Sequence, residues 1–344
     1  MSEDTTIDPL TGQVQDLPVR AIGLTFSIVT TIVVVSMPGG MTIGTTILGF
    51  VAPYLERLAP FVPGEIFPYF FTMEMFQRAL LAAVMVTIVA GLLGSFLLIR
   101  NLALIGDGLA HVSFGGVAIG LVLGATSPML YALVFCVVSA ILIHELQVRE
   151  ILTGDASIAI FLTGMLALGL VSLRVFGVGI TSDIEGYLFG SLLLIDNESL
   201  DLIATISIIS LALLLILYRG LLSTTIDPLA AQVQGLPVRG IGLTFSIVTA
   251  IVVVSMVQVI GALLVTALLV TPAATGQLIG RSFRSCVIWT QIIGLSTVMI
   301  GLYLSAEHDA GSGAMIALVA AVIFGVVAIT KTLILAVVKP GENL

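Results

Sequence analysis

Ten stretches of this chain run close to twenty residues with almost no charge, and that feature excludes most folds. They cover residues 21–37, 77–99, 109–125, 128–147, 157–174, 200–218, 241–256, 259–278, 283–304 and 312–335. Coiled as helices, runs of about twenty residues match the roughly 30 Å hydrocarbon thickness of a bilayer. Within them polar and apolar residues do not alternate, as they would in the strands of an outer-membrane barrel. A helix is the remaining structure that satisfies its own backbone hydrogen bonds in lipid. The expected fold class is an all-α integral membrane protein, a polytopic helical bundle. Composition agrees: 58% of residues are hydrophobic and only 9% charged, against roughly a quarter charged in soluble domains.

The first run belongs to a repeat. Ile7–Met37 reads IDPLTGQVQDLPVRAIGLTFSIVTTIVVVSM, and Ile226–Met256 reads IDPLAAQVQGLPVRGIGLTFSIVTAIVVVSM, 219 positions later. The likeness stops at both ends, so this is one copied fragment and not a solenoid. The later copy sits in a full apolar context and reads as the original. Residues 1–40 are thus an appended duplicate of 220–256 carrying one extra apolar span, and Met41 is a candidate older start. Residues 41–76 read as an outer linker, 77–335 as the transmembrane domain and 336–344 as a C-terminal tail. The first dozen residues are acidic and lack the basic region of a cleavable signal.

Arginines orient the spans. Arg100, Arg149, Arg219, Arg239, Arg281 and Arg284 fall in short loops that parity places on one side, the cytoplasmic one. The other side receives an acidic face that includes Asp183, Glu185 and Asp309, with Asp196, Glu198, Asp201 and Glu307. Such a face concentrates cations. Arg57, Arg78 and Arg174 break the pattern. The formal net charge of −8 excludes nucleic acid as a partner. Two lysines against ten arginines and twenty acids is the pattern of a salt-adapted surface, although loop placement accounts for much of it. Cys136 and Cys286 lie in apolar runs and read as buried small hydrophobes.

Ionisable groups within spans are costly and mark function by default. Asp107 and His111 stand four apart in NLALIGDGLAHVSFGGVAIG, so both face one side of a helix. A carboxylate supplies charge to a divalent cation, and an imidazole favours transition metals. The competing reading makes Asp107 a helix N-cap and His111 a polar contact. HELQV at His144 lacks the second histidine of a zinc-protease helix. LIGDG lacks the first glycine of an intramembrane aspartyl-protease motif. No phosphate-binding G-x-x-x-x-G-K-[ST] loop occurs, so this chain does not bind ATP by itself through a P-loop.

Four pieces together resemble a known family: FQRALLAAVMVTIVAGLLGSFLLIRNLALIGDGLAHVSFGGVAIGLVLG, DIEGYLFGSLLLI, LPVRGIGLTFSIVTAIVVVSMVQVIGALLVTALLVTPAATGQLI and DAGSGAMIALVAAVIFGVV. They resemble the membrane permease of the zinc, manganese and iron ABC importers, the ABC-3 family. The most specific parts are G-D-x-L-x-H at Gly106–His111 and V-x-A-L-L-V-x-P-A-A-T at Val265–Thr275. The resemblance spans roughly residues 70–335. It implies a dimeric permease similar to the type II, cobalamin-importer-like fold, in the cytoplasmic membrane. A cytoplasmic ATPase and an external metal-binding lipoprotein or solute-binding protein would be its partners. The transported zinc, manganese or iron is cargo, with no cofactor held permanently. Asp107 and His111 would line the metal path. Many relatives carry D-L-P-S-G where this chain has Asp309-Ala310-Gly311-Ser312-Gly313, and Arg100-Asn101 replaces a basic pair.

The segment Thr271–Ser285 links two runs on the basic side. Pro272 ends the preceding helix geometry, and a short helix parallel to the membrane is expected to dock on the ATPase, with Thr271, Pro272 and Gly280 in the contact and Arg281 and Arg284 at its rim. The alternative function, an ion-gradient-driven secondary cation transporter, calls for several intramembrane acids and often inverted repeats. Asp107 is nearly alone and the repeat is one fragment, so the ABC reading leads.

Overall fold

The computed structural model describes residues 42–125, 128–176, 187–188, 190 and 195–338. The duplicate in residues 1–40, the acidic residues Asp183 and Glu185, and the C-terminal tail beyond Val338 lie outside the described residues. Helices occur throughout, and no strand occurs among the described residues. In order they are α1 Ile43–Leu58, α2 Tyr69–Thr72, α3 Glu74–Ile99, α4 Ile105–Val122, α5 Pro128–Val148, α6 Gly154–Val175 and α7 Asn197–Ile226. There follow α8 Pro228–Val233, α9 Val238–Ile260, α10 Val265–Leu269, α11 Thr271–Ile279, α12 Phe283–His308 and α13 Ser312–Val338.

Eight of these are long and apolar enough to cross a membrane: α3 to α7, α9, α12 and α13. They coincide with eight of the ten apolar runs. The run at 21–37 lies outside the described residues. The run at 259–278 corrects the expectation, because it forms no continuous span. Gly261 adopts φ +84°, which ends α9; a 3-10 turn at Ala262–Leu264 follows, and then two short helices. Left-handed backbone is natural for glycine, and Pro272 enters at the first turn of α11, where its missing N–H is harmless.

Local chemistry sets the other boundaries. Asp196 accepts from Ser199 N at 2.8 Å to start α7, Asp227 from Ala230 N at 2.9 Å to start α8, and Ser282 from Ser285 N at 3.2 Å to start α12. These are N-caps, each satisfying one orphan donor. α12 closes with Asp309 in the left-handed region.

The bundle is built around α9. In its apolar window 89% of residues are buried, against 22% in α6 and α13, which present most of their side chains outward. In lipid, helices associate through close packing and not through a hydrophobic drive. Gly116 shows the consequence: a methyl there would sit 2.7 Å from Ala132 Cα on α5. Only glycine allows α4 and α5 so close.

By the order of the helices, Arg100, Arg149, Arg239, Arg281 and Arg284 fall at or next to helix ends on one side of the bundle, and Arg219 lies within α7 two turns before its close. At that end Arg100 ties three helices together. It donates from Nε to Thr225 Oγ1 at 2.9 Å and from Nη2 to Thr224 Oγ1 at 3.0 Å, and lies 4.6 Å over the Phe245 ring. Burial pulls its pKa down to about 10, so it stays charged near neutrality. Arg78, on the opposite end, is held by Asn197 at 2.8 Å and lies 3.6 Å from Glu74. That pairing accounts for an arginine on the acidic end.

Candidate functional site

α4 begins at Ile105, four residues before the apolar run, and this brings Asp107 into its first turn. Leu104 stands at the N-cap and supplies no side-chain bond. No backbone N–H donates to the Asp107 carboxylate among the described residues, so capping does not account for it. One turn later His111 follows on the same face. Its Nε2 lies 3.9 Å from Asp107 Oδ1, with the His111 side chain 10% exposed and that of Asp107 31%. The buried Nδ1 of His111 has no hydrogen-bond partner.

This separation is too long for a hydrogen bond. It is shorter than twice a metal–ligand bond of about 2.1 Å, so one cation can touch both groups. A buried polar atom without a partner costs about 1–3 kcal/mol. Among the described residues no group of three or more histidines, cysteines or acids could hold a metal ion. At this place one chain therefore brings together only two side chains of the metal-binding type among the described residues.

The glycines beside the pair hold the helix against its neighbours. A methyl on Gly106 would meet Leu269 Cδ2 at 2.6 Å, and one on Gly108 would meet Ile158 Cγ2 at 2.6 Å. Gly115 abuts the Met165 carbonyl on α6 at the same distance. The pair thus sits on a helix wedged between α5, α6, α9 and the broken segment that carries α10.

The Thr271–Ser285 segment does contain a short helix, but half of it lies inside the bundle. Pro272, Ala273, Thr275 and Gly276 are buried, and Thr275 Oγ1 donates to the Thr271 carbonyl at 2.7 Å. Pro272 is therefore not available at a surface, which corrects its place in the expected contact. Gly280 forms the turn into α12, where a methyl would sit 2.8 Å from the Cys286 backbone. Gln277, Arg281 and Arg284 are exposed. Asp309 is exposed at the opposite end of α12, far along the chain axis from Arg281. Both Cys136 and Cys286 are free and buried.

Two structural features escaped sequence reasoning. The Glu307 carboxylate accepts from the backbone N–H groups of Glu65, Ile66 and Phe67 at 3.2, 2.9 and 3.0 Å. A recess of about 520 Å³ at the basic end is lined by Arg100, Gln147, Glu150, Thr153 and Asp155 among others. Neither leaves a sequence signature, because each joins residues from distant parts of the chain.

Residues 72–331 match the ABC 3 transport family. This chain belongs to the ABC-3 family. It is 33% identical over 249 residues to the manganese transport system membrane protein MntC of Halalkalibacterium halodurans, covering 72% of this chain and 84% of that one. It is 32% identical over 251 residues to the high-affinity zinc uptake system membrane protein ZnuB of Haemophilus influenzae, covering 73% and 95%. The solved structure of PsaBC from Streptococcus pneumoniae in complex with Fab is similar with a TM-score of 0.68 at 30% identity, covering 76% of this chain and 94% of that one. The ABC-3 assignment makes this a multi-pass protein of the cytoplasmic membrane with the fold of an ABC transporter permease. The pair Asp107–His111, the broken segment and α9 all lie within the matched range, whereas α1 precedes it.

Proposed function

We propose that this chain is the permease subunit of an ABC importer for a divalent transition metal, manganese or zinc, with Asp107 and His111 on the metal path. The observation that carries this reading is the carboxylate–imidazole pair, 3.9 Å apart, with the imidazole buried and its Nδ1 unpartnered. Polar groups placed so inside a membrane protein have function as their default explanation. Relatives named for manganese and for zinc support the two metals. Iron has no support in those names.

Asp107 supplies the charge that draws a cation from the acidic end, and His111 binds through a neutral ring nitrogen. Two protomers facing one axis would bring two carboxylates and two imidazoles together, a four-ligand set for a transition metal. A conducting path must also release its ion, so the site should bind weakly. An external solute-binding protein delivers the metal. A separate cytoplasmic ATPase supplies the energy and meets the permease around Gln277, Arg281 and Arg284. The basic recess beside Arg100 is at the same end.

The test is uptake of radiolabelled manganese and zinc, with iron as comparison, in cells lacking their own importers. The chain would be expressed with and without an ATPase and a solute-binding protein. Uptake that needs the ATPase supports the reading. Uptake that persists without it and collapses with a protonophore would instead establish an ion-gradient-driven transporter.

A further inference from the structure

The helix α1, Ile43–Leu58, precedes the family match and is too short to span: sixteen residues rise about 24 Å against a core of roughly 30 Å. Pro53 lies inside it, and Glu56 and Arg57 sit near its end. At 100° per residue its surface divides into three sectors. Gly44, Leu48 and Ala59 are buried, with Leu55 packed on the core beside them. Phe50, Tyr54 and Leu58, spaced four apart, form a second sector and are 73%, 67% and 52% exposed. Phe61, in the following 3-10 turn, extends it and is 85% exposed. Thr46, Pro53, Glu56 and Arg57 occupy the remaining side, all exposed.

Two anchors fix the depth of this module. The Asp201 carboxylate accepts from Thr45 N at 2.7 Å and from Thr45 Oγ1 at 3.2 Å, in the second turn of α7. Gly44 packs so closely that a methyl would sit 2.6 Å from the Leu200 carbonyl. At the far side Glu307, next to the last residue of α12, holds the backbone of Glu65, Ile66 and Phe67, and Phe67 meets Tyr303 edge-on at 5.4 Å. Both anchors are where spans leave the membrane at the acidic end. On α7, Ile208 lies two turns below Leu200 and is 41% exposed.

We propose that α1 lies in the bilayer surface at the acidic end, with Phe50, Tyr54, Leu58 and Phe61 seated at the boundary of acyl chains and headgroups. A helix with a buried side toward the bundle, an aromatic side toward lipid and a polar side toward water has one position that suits all three. That position is flat at the rim of the bundle. Aromatic side chains favour that depth, and interfacial helices bury their apolar face about 5–10 Å into it. The occupant of the stripe is lipid. The inference rests on the chain's place in the membrane and is independent of its cargo.

The test uses the full chain reconstituted in phosphatidylcholine vesicles, with Phe50→Cys, Tyr54→Cys and Glu56→Cys each labelled by an environment-sensitive fluorophore. The native cysteines are buried and react little under native conditions. Probes at 50 and 54 are expected to be quenched by nitroxide lipids labelled high on the acyl chain, and to be several-fold less sensitive to aqueous iodide than the probe at 56. Iodide sensitivity at 50 and 54 equal to that at 56 would overturn the proposal. So would protection from both quenchers, which marks a protein contact, and protection appearing only when a solute-binding protein is added, which marks a docking face.

Discussion

At the scale of single residues, the pair on α4 separates two roles that the sequence leaves open. Asn caps helices about as well as Asp, so if Asp107 served only the helix, Asp107→Asn would be silent. The carboxylate takes no backbone donor and faces a histidine instead. Both Asp107→Asn and His111→Ala are therefore expected to lower metal uptake by at least about tenfold, with membrane levels and ATPase binding kept. Normal uptake by both variants would remove the pair from the path. Gly116 gives a contrasting expectation. A Leu there must displace the Ala132 backbone, 2.7 Å from the new Cβ, and overpacking costs about 1–3 kcal/mol. Detergent-solubilised Gly116→Leu should melt at a lower temperature than the unaltered protein, and an unchanged melting point would mean that α4 and α5 can part. The pair was legible because four-residue spacing is a local property of one helix. Its unpartnered Nδ1 was not, since that depends on what α5, α6 and α9 fail to offer.

Among elements, the segment from Gly261 to Ser282 shows where apolar length misleads. Residues 259–278 carry enough hydrophobicity for a span, and hydropathy cannot see a backbone that turns. The signs were Gly261 and Pro272, yet glycine and proline occur in many continuous membrane helices. The eight spans among the described residues were legible because nothing interrupts them, and α4 differed in starting at Ile105, so as to include Asp107, and in ending at Val122. The same segment recasts the coupling contact. Gly280 touches the Cys286 backbone, so a bulky residue there should destabilise the turn itself and lower the yield of folded protein. Arg281 and Arg284 are exposed and have no ion-pair partner among the described residues. Reversing both to Glu should weaken copurification of the ATPase and reduce transport-coupled ATP hydrolysis several-fold, while thermal stability stays within a few degrees. Unchanged hydrolysis would show that these arginines only mark the side on which they lie.

For the whole molecule, the duplicated fragment and the α1 module pose opposite expectations about adjacent parts of the chain. The bundle has one central position of this sequence, and α9 fills it with 89% of its window buried. With that position filled, the second copy is expected to be dispensable, although any sufficiently apolar segment can insert as an extra span. A chain starting at Met41 should therefore reach the membrane and take up metal as the full chain does. Residues 42–72 are different, because Asp201 and Glu307 bond to them directly and Phe67, Phe70 and Phe71 are buried. Starting instead at Met73 strips those two carboxylates of their partners and exposes the aromatic contact with Tyr303. That shorter chain should insert, since all eight spans remain, but should melt earlier in detergent and reach lower membrane levels. Loss of both insertion and uptake on starting at Met41 would assign the early copy a structural role, and equal stability of the two shortened chains would strip α1 of its anchoring one.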